Sequence, residues 1–482
     1  MNAPLRRVAI SVLVLFTLLI VNVNYIQVVR AEKLRNDRGN TRVLAEEYDR
    51  ERGSIVVAGK EIALSVPTDD RLTYLRQYPD GELYAGVTGY YSVVYGNAGL
   101  ERAENDLLAG SDPRLVFRRL ADLFTGRDPA GGNVELTLDP AVQQAAMSGL
   151  EGVTGAVVAL DPSTGAILGM ASTPSYDPNQ LSSHDPQAIR AYWDQLSAAD
   201  RDPRLNRAIS DNFPPGSLFK VIVSAAALED GYTPETVIPA PQELPLPNSS
   251  RVIPNFNGSA CSSSGEQSLI DALTISCNTA FAQLGMDLGE DRVREMAEAF
   301  GMDGETFDIP LQVEGSSIGE VEDEAALAQT SIGQRDVRMT PLQAALVAAT
   351  VANDGVQMRP YLVDQVQAPD LTVIDSTQPE EWRDAVSADV ANQLTEMMKS
   401  VVDNGSGRAA RIPGVEVAGK TGTAQVSADV PDHTWFMGFA PADDPKIAVA
   451  VFVANGGGTG GERSAPIARQ VMEAYLDGQG EG

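Results

Sequence analysis

The chain has 482 residues, enough for two or three domains, and is 43% hydrophobic and 21% charged, which supports a sizeable core and excludes a broadly disordered polymer. Its 36 basic and 66 acidic residues give a formal net charge of −30, and that sign argues against nucleic-acid binding, which needs a basic face to neutralise phosphates. Two histidines (His184, His433) and two cysteines (Cys261, Cys277) argue against a structural zinc site and against haem or iron–sulfur ligation, so neither metal nor cofactor is expected.

Arg6 and Arg7 precede residues 8–29, which carry no charge and as a helix would cross a bilayer core of roughly 30 Å. The stretch is longer than the apolar core of a signal peptide, although Val29-Arg30-Ala31 loosely resembles a cleavage site. The expectation is a cytoplasmic tail at 1–7 and an uncleaved single-pass anchor at 8–29. Arg30, Lys33, Arg35, Arg38 and Arg42 follow the span, so charge alone points to the opposite orientation. A long C-terminal domain can translocate regardless of charge, and an outside location must rest on chemistry.

Beyond the anchor, residues 51–59 read as a turn entering a strand, and 86–110 as a loop followed by helix. Residues 133–138 alternate like a strand and 140–150 follow a helical pattern, with a domain boundary expected near 150. Residues 156–160 and 166–171, joined by Asp161-Pro162-Ser163-Thr164-Gly165, form a hairpin pattern. Helical stretches dominate 217–301 and 323–353. Strands are expected at 415–424, 435–440 and 446–454, and a helix at 466–476. Strands at both ends with helices between them suggest an α/β domain whose sheet is closed by the two halves of the chain.

Lysine is scarce, so each of Lys33, Lys60, Lys220, Lys399, Lys420 and Lys446 invites inspection. Lys220 follows Pro214-Pro215-Gly216-Ser217-Leu218-Phe219. Pro-Pro-Gly cannot continue a helix and the apolar run after it can, which sets Ser217 at a helix N-terminus. Lys220 falls one turn on, on the same face. A serine is a weak nucleophile until a base takes its proton, and a neutral lysine can do so. The plainer reading is a capping serine and a snorkelling lysine, since Ser-x-x-Lys is a weak signal alone. Gly419-Lys420-Thr421-Gly422-Thr423 reads as a strand with a glycine where something must approach the backbone; the plainer reading is a solvated edge-strand lysine. Ser276-Cys277-Asn278 lies between the two lysines in the chain; Ser210-Asp211-Asn212 has the same spacing, so this motif carries nothing by itself.

Ser-x-x-Lys, Ser-x-Asn and Lys-Thr-Gly, in that order, are the motif set of penicillin-binding proteins and class A β-lactamases. The chain resembles a class B (monofunctional) penicillin-binding protein of the actinobacterial penicillin-binding protein A type. The likeness covers nearly everything after the anchor, including Arg52-Gly53-Ser54-Ile55, residues 95–101, 159–165 and 174–179, Asn206-Arg207-Ala208, Met339-Thr340-Pro341-Leu342-Gln343 and 435–441. It implies an α/β transpeptidase domain at 151–482, an antiparallel sheet flanked by helices, on an elongated α+β pedestal at 30–150. It also implies a D,D-transpeptidase that cross-links peptidoglycan outside the cell membrane and is inhibited by β-lactams.

By the same resemblance, Ser217 attacks the carbonyl of the penultimate D-Ala of a stem peptide and Lys220 is its base. The Ser217 and Thr423 amides form the oxyanion hole. Ser276 relays the proton to the leaving amine and Asn278 binds the substrate backbone. Lys420 and the hydroxyls of Thr421 and Thr423, flanking Gly422, hold the terminal carboxylate. The implied partner is a membrane-embedded glycan polymerase of the shape, elongation, division and sporulation family, docked through the anchor and pedestal. Outside the cytoplasm disulfides are permitted, and a Cys261–Cys277 bridge is expected to stiffen the loop presenting Ser276 and Asn278; the alternative is two independent small core residues. His433 is expected in a loop at the cleft rim, without a catalytic role. Competing functions are a carboxypeptidase, β-lactamase or penicillin sensor, and a non-catalytic scaffold. No Glu-containing deacylation loop stands out for a β-lactamase, and a scaffold has no need of both lysines beside serines. The roughly 120 residues before position 150 are too few for a glycosyltransferase domain as well.

Overall fold

The computed structural model describes residues 2–30, 48–116, 130–304, 307–427 and 429–479; Lys33, Arg35, Arg38 and Arg42 lie outside the described residues. Helix α1 (Asn2–Asn24) runs into a π-helical turn at Tyr25–Val29. Proline is confined to its first turn, where no intrahelical donor is lost. Arg6–Val28 is long and apolar enough to cross a membrane, and its apolar side chains are not buried against the rest of the protein.

The two largest sheets draw on β1 (Ile55–Val57), β2 (Lys60–Pro67), β3 (Tyr74–Gln77), β4 (Asn133–Leu136), β5 (Gly155–Leu160), β6 (Ile167–Thr173), β7 (Val363–Gln367), β8 (Val373–Ser376), β9 (Ala418–Ala424), β10 (His433–Ala440) and β11 (Ile447–Val453). One sheet has six strands in the order β8-β7-β4-β1-β2-β3. Only its β1–β4 pair is parallel. Strands β7 and β8 come from far along the chain to complete it, so a division at residue 150 separates β7 from its partner β4.

The second sheet, β9-β10-β11-β5-β6, is antiparallel throughout. It is covered on both faces, and β11 shows how. Val449, Val451 and Val453 enter one apolar cluster with α2 (Pro140–Gly149) and the C-terminal helix. The alternate residues Ala448, Ala450 and Phe452 enter the other cluster, with α3 (Phe219–Glu229) and the central helix of the domain. A strand buried on both sides reads as a continuous apolar run, whereas its two faces still separate with period two.

Further helices that bear on the site are α4 (Leu269–Ile275), α5 (Asn278–Leu288), α6 (Pro341–Ala352), α7 (Ala388–Asp403) and α8 (Gly460–Gln479). Helix α6 is apolar on every side and almost wholly buried, as such a helix must be; Thr340 caps it by accepting from Gln343 N.

Three expectations need correction. The stretch 217–301 is not helical throughout: the paired segments Val237–Pro239 with Glu266–Ser268 and Glu243–Pro245 with Val252–Pro254 interrupt it, because prolines 239, 241, 245, 247 and 254 deny the backbone its helical donors. Residues 86–110 begin within a helix, Gly81–Thr88, before the loop. The last helix starts at Gly460, not at Pro466. Thr459 and Glu462 form a reciprocal capping box there, Thr459 N donating to Glu462 Oε2 at 2.8 Å and Glu462 N to Thr459 Oγ1 at 3.3 Å, which fixes the start a turn and a half earlier.

Candidate active site

Ser217 sits on a 3₁₀ turn, Gly216–Leu218, that runs into α3, one turn ahead of the α-helix proper. The turn leans directly on β9. Gly216 has φ +54°, and a Cβ there would stand 2.3 Å from Thr423 O; a Cβ on Gly422 would stand 2.6 Å from Pro215 O. Gly216 N–H donates to Gly333 O at 2.9 Å, and Trp435 Nε1 donates to Pro214 O at 3.0 Å. The glycine that admits another backbone is therefore Gly422, while the space over Gly419 is taken by the Phe436 ring.

Lys220 is fully buried in the first turn of α3. Its Nζ donates to Ser276 O at 2.7 Å and to Asn278 Oδ1 at 2.7 Å, and lies 3.3 Å from Ser276 Oγ. Lys420, on β9 and also fully buried, donates to Ser276 Oγ at 2.9 Å and Thr421 O at 3.0 Å. Ser276 Oγ is thus held between two lysine nitrogens that are 200 residues apart in the chain. All three motifs meet at one point. Among the described residues Ser217 Oγ has no hydrogen-bond partner, and the contacts of Lys220 go to positions 276 and 278 instead. The Ser210-Asp211-Asn212 alternative lies outside this network.

The reach of Ser276 follows from its backbone. It ends α4 in the left-handed region, φ +64° and ψ 44°, a conformation that costs a non-glycine residue about 1 kcal/mol or more. That turn directs both its carbonyl and its hydroxyl at the lysines. The next residue, Cys277, is bonded to Cys261, and Asn278 then opens α5.

Neither lysine has a carboxylate partner among the described residues. Burial, and after it the like charge of Lys420, hold Lys220 well below the ordinary lysine range. Burial lowers Lys420 to about 7. A neutral amine has two N–H donors and one lone pair. Donation from Lys220 to Ser276 O and Asn278 Oδ1 leaves the lone pair free to take a proton from a hydroxyl. The cluster links Lys220, Ser276 and Lys420 by hydrogen bonds along which a proton can pass.

On the other face of β9, Thr421 is 6% exposed and its Oγ1 lies 2.6 Å from Ser406 Oγ. Thr423 Oγ1 accepts from Gly460 N, the first residue of α8, at 3.4 Å. Ser406 was not singled out from sequence, although a serine between two glycines just past a helix is a local signal of close backbone packing. His433 is corrected: it is the first residue of β10, 8% exposed, packed edge-on against Phe213 and Phe452, with Nδ1 accepting from Asn455 N at 3.0 Å. Burial, then Arg201, lowers it to about 4, so it is a neutral core residue.

Residues 155–473 match the penicillin-binding protein transpeptidase domain and residues 52–134 the penicillin-binding protein A dimerisation domain. The chain is 51% identical to the peptidoglycan D,D-transpeptidase PbpA of Mycolicibacterium smegmatis, over 99% of both chains. It is 49% identical to the protein of that name from Mycobacterium tuberculosis, over 99% of this chain and 100% of the other. Penicillin-binding protein A of M. tuberculosis, solved as a ceftriaxone acyl-enzyme complex, superposes with a TM-score of 0.87 at 48% identity, covering 90% of this chain and 100% of that one. With three motifs converging on one hydroxyl and this likeness along its whole length, the chain belongs to the class B penicillin-binding proteins, of the penicillin-binding protein A type.

Proposed function

We propose that this chain is a peptidoglycan D,D-transpeptidase that works through a serine acyl-enzyme and is inhibited by β-lactams. The observation that carries the reading is Ser276 Oγ held between the buried Lys220 and Lys420. Ser217 Oγ attacks the carbonyl carbon of the penultimate D-Ala as its proton passes to the Lys220 lone pair. The amides of Ser217 and Thr423 receive the oxyanion. The C–N bond breaks as the departing D-Ala amine takes a proton through Ser276 Oγ, leaving an ester on Ser217. The amine of a neighbouring stem peptide then displaces Ser217 and completes the cross-link. Asn278 holds the donor backbone, while Lys420, Thr421 and Thr423 face the terminal carboxylate. The acyl-enzyme complexes of the M. tuberculosis relative support the covalent step.

That substrate lies outside the cytoplasm, which supports a single-pass anchor at 8–29 with the catalytic domain extracytoplasmic. The anchor and pedestal together would dock a membrane-embedded glycan polymerase of the shape, elongation, division and sporulation family. The test is mass spectrometry of the tryptic peptide carrying Ser217 after exposure to penicillin G. A stable penicilloyl adduct, absent from Ser217→Ala, is expected. No adduct, or rapid turnover releasing penicilloic acid, would overturn the reading.

A further inference from the structure

We infer that Ser406 is a positioning residue for carboxylate recognition, acting through Thr421; this rests on the reading of Thr421 and Thr423 as the carboxylate anchor. The Ser406 and Thr421 hydroxyls are 2.6 Å apart, and either can donate. Each has one proton. If Thr421 donates to Ser406, an incoming carboxylate meets a lone pair and is repelled. If Ser406 donates to Thr421, the Thr421 proton is free to point at the anion. The bound state therefore selects the chain Ser406 O–H to Thr421 O–H to carboxylate, in which each bond polarises the next.

Ser406 is exposed, yet its backbone is wedged in place. Its amide donates to Thr274 O at 3.2 Å. A Cβ on Gly405 would stand 2.0 Å from Thr274 O, and one on Gly461 would stand 2.3 Å from Ser406 O. The loop carrying Ser406 is thus clamped between the end of α4, two residues before Ser276, and the first turn of α8. Gly460 N–H of that turn already points at Thr423 Oγ1, and the Glu462 carboxylate nearby is taken up by Thr459. No carboxylate is bonded to Ser406, Thr421 or Thr423 among the described residues.

The test compares the second-order rate of acylation by penicillin G with that by penicillin G methyl ester, whose carboxylate is masked, in the full chain. Ser406→Ala should slow acylation by the acid about 5- to 10-fold, the scale of one net hydrogen bond, and change that by the ester less than about twofold. Ser406→Thr, which keeps the hydroxyl, should restore the acid rate, and Ser406→Ala should add nothing on a Thr421→Ala background. Equal losses on acid and ester, or no loss on either, would overturn the inference. If Thr421→Ala discriminates acid from ester while Ser406→Ala does not, the role of Ser406 alone fails. If Thr421→Ala and Thr423→Ala both fail to discriminate, the carboxylate reading beneath it fails as well.

Discussion

Lysine is a useful base only when it is neutral, and the two buried lysines are pushed towards that state by unequal means. Lys220 is lowered by burial and then by Lys420, whereas Lys420 is lowered by burial alone, to about 7. With Lys220 as the proposed base, a fall in pH through its value protonates the amine, removes the lone pair and should slow acylation of Ser217. The rate therefore has an acid limb lying well below the ordinary lysine pKa of about 10.4. Lys420→Ala removes the like charge that disfavours protonated Lys220, so it should move that limb to higher pH, in addition to slowing the reaction. Penicillin G acylation followed between pH 5 and 9 checks this; a limb that stays put or moves to lower pH would mean that Lys420 does not act on Lys220 through charge. The apparent values belong to the coupled pair and not to either residue.

At the scale of elements, the site is three short segments forced together by backbone: the Gly216–Leu218 turn, β9, and the α4–α5 junction. Gly216→Ala adds a Cβ that would stand 2.3 Å from Thr423 O, at φ +54°. The turn must lift off β9, and penicillin acylation should fall at least 10-fold, the equivalent of about 1.4 kcal/mol. Retained acylation would show that the turn tolerates displacement. At the α4–α5 junction the Cys261–Cys277 bond closes a loop with a separation of 16 residues, a length for which the chain-entropy account gives roughly 3 kcal/mol. Dithiothreitol should lower both the melting temperature and the acylation rate of the wild type, and change neither in a Cys261→Ser/Cys277→Ser variant; a wild type indifferent to reduction would show that Ser276 keeps its left-handed turn unaided. Much of this was legible in sequence. The lysines stood out by scarcity, the motifs by their order, β9 through the Lys-Thr-Gly string it carries, and β5, β6, β10 and β11 by apolar runs. What could not be read was what chain-distant backbone decides: that Lys220 bonds to Ser276 and Asn278, that Ser406 meets Thr421, and that β7 and β8 cross back to the N-terminal sheet. The pairing of β7 with β4 spans more than two hundred residues, and no local periodicity encodes such a partner.

For the whole molecule, the six-stranded sheet, which is the core of the proposed pedestal, shares no residue with the candidate site. A buried ionic cluster ties the β1–β2–β3 edge of the six-stranded sheet to the helix Leu100–Ala103. Glu101, with no exposure, accepts from Arg52 and Arg76 at 2.6 Å each and from Tyr78 at 3.1 Å. Arg52 also reaches Asn105 Oδ1 at 2.9 Å and Arg76 reaches Gly53 O at 2.8 Å. Burial works to raise the Glu101 pKa, but the guanidinium charges of Arg76 and Arg52 prevail and hold it below its ordinary value. Glu101→Gln would take the buried carboxylate that Arg52 and Arg76 share out of its charged form, a loss of about 3–5 kcal/mol for a broken buried pair. Deleting residues 30–150 would strip β7 of its partner, so this single substitution is the cleaner probe of the pedestal. None of Ser217, Lys220, Ser276, Asn278 and Lys420 contacts the cluster among the described residues. Glu101→Gln should therefore lower the melting temperature and, under the docking proposed above, abolish co-purification with the proposed glycan polymerase, while the penicillin acylation rate of the folded fraction stays within about twofold of wild type. Co-purification that survived the loss of stability would count against docking through the proposed pedestal, and acylation that collapsed with it would show that the six-stranded sheet, through β7 and β8, holds the catalytic domain in its working shape.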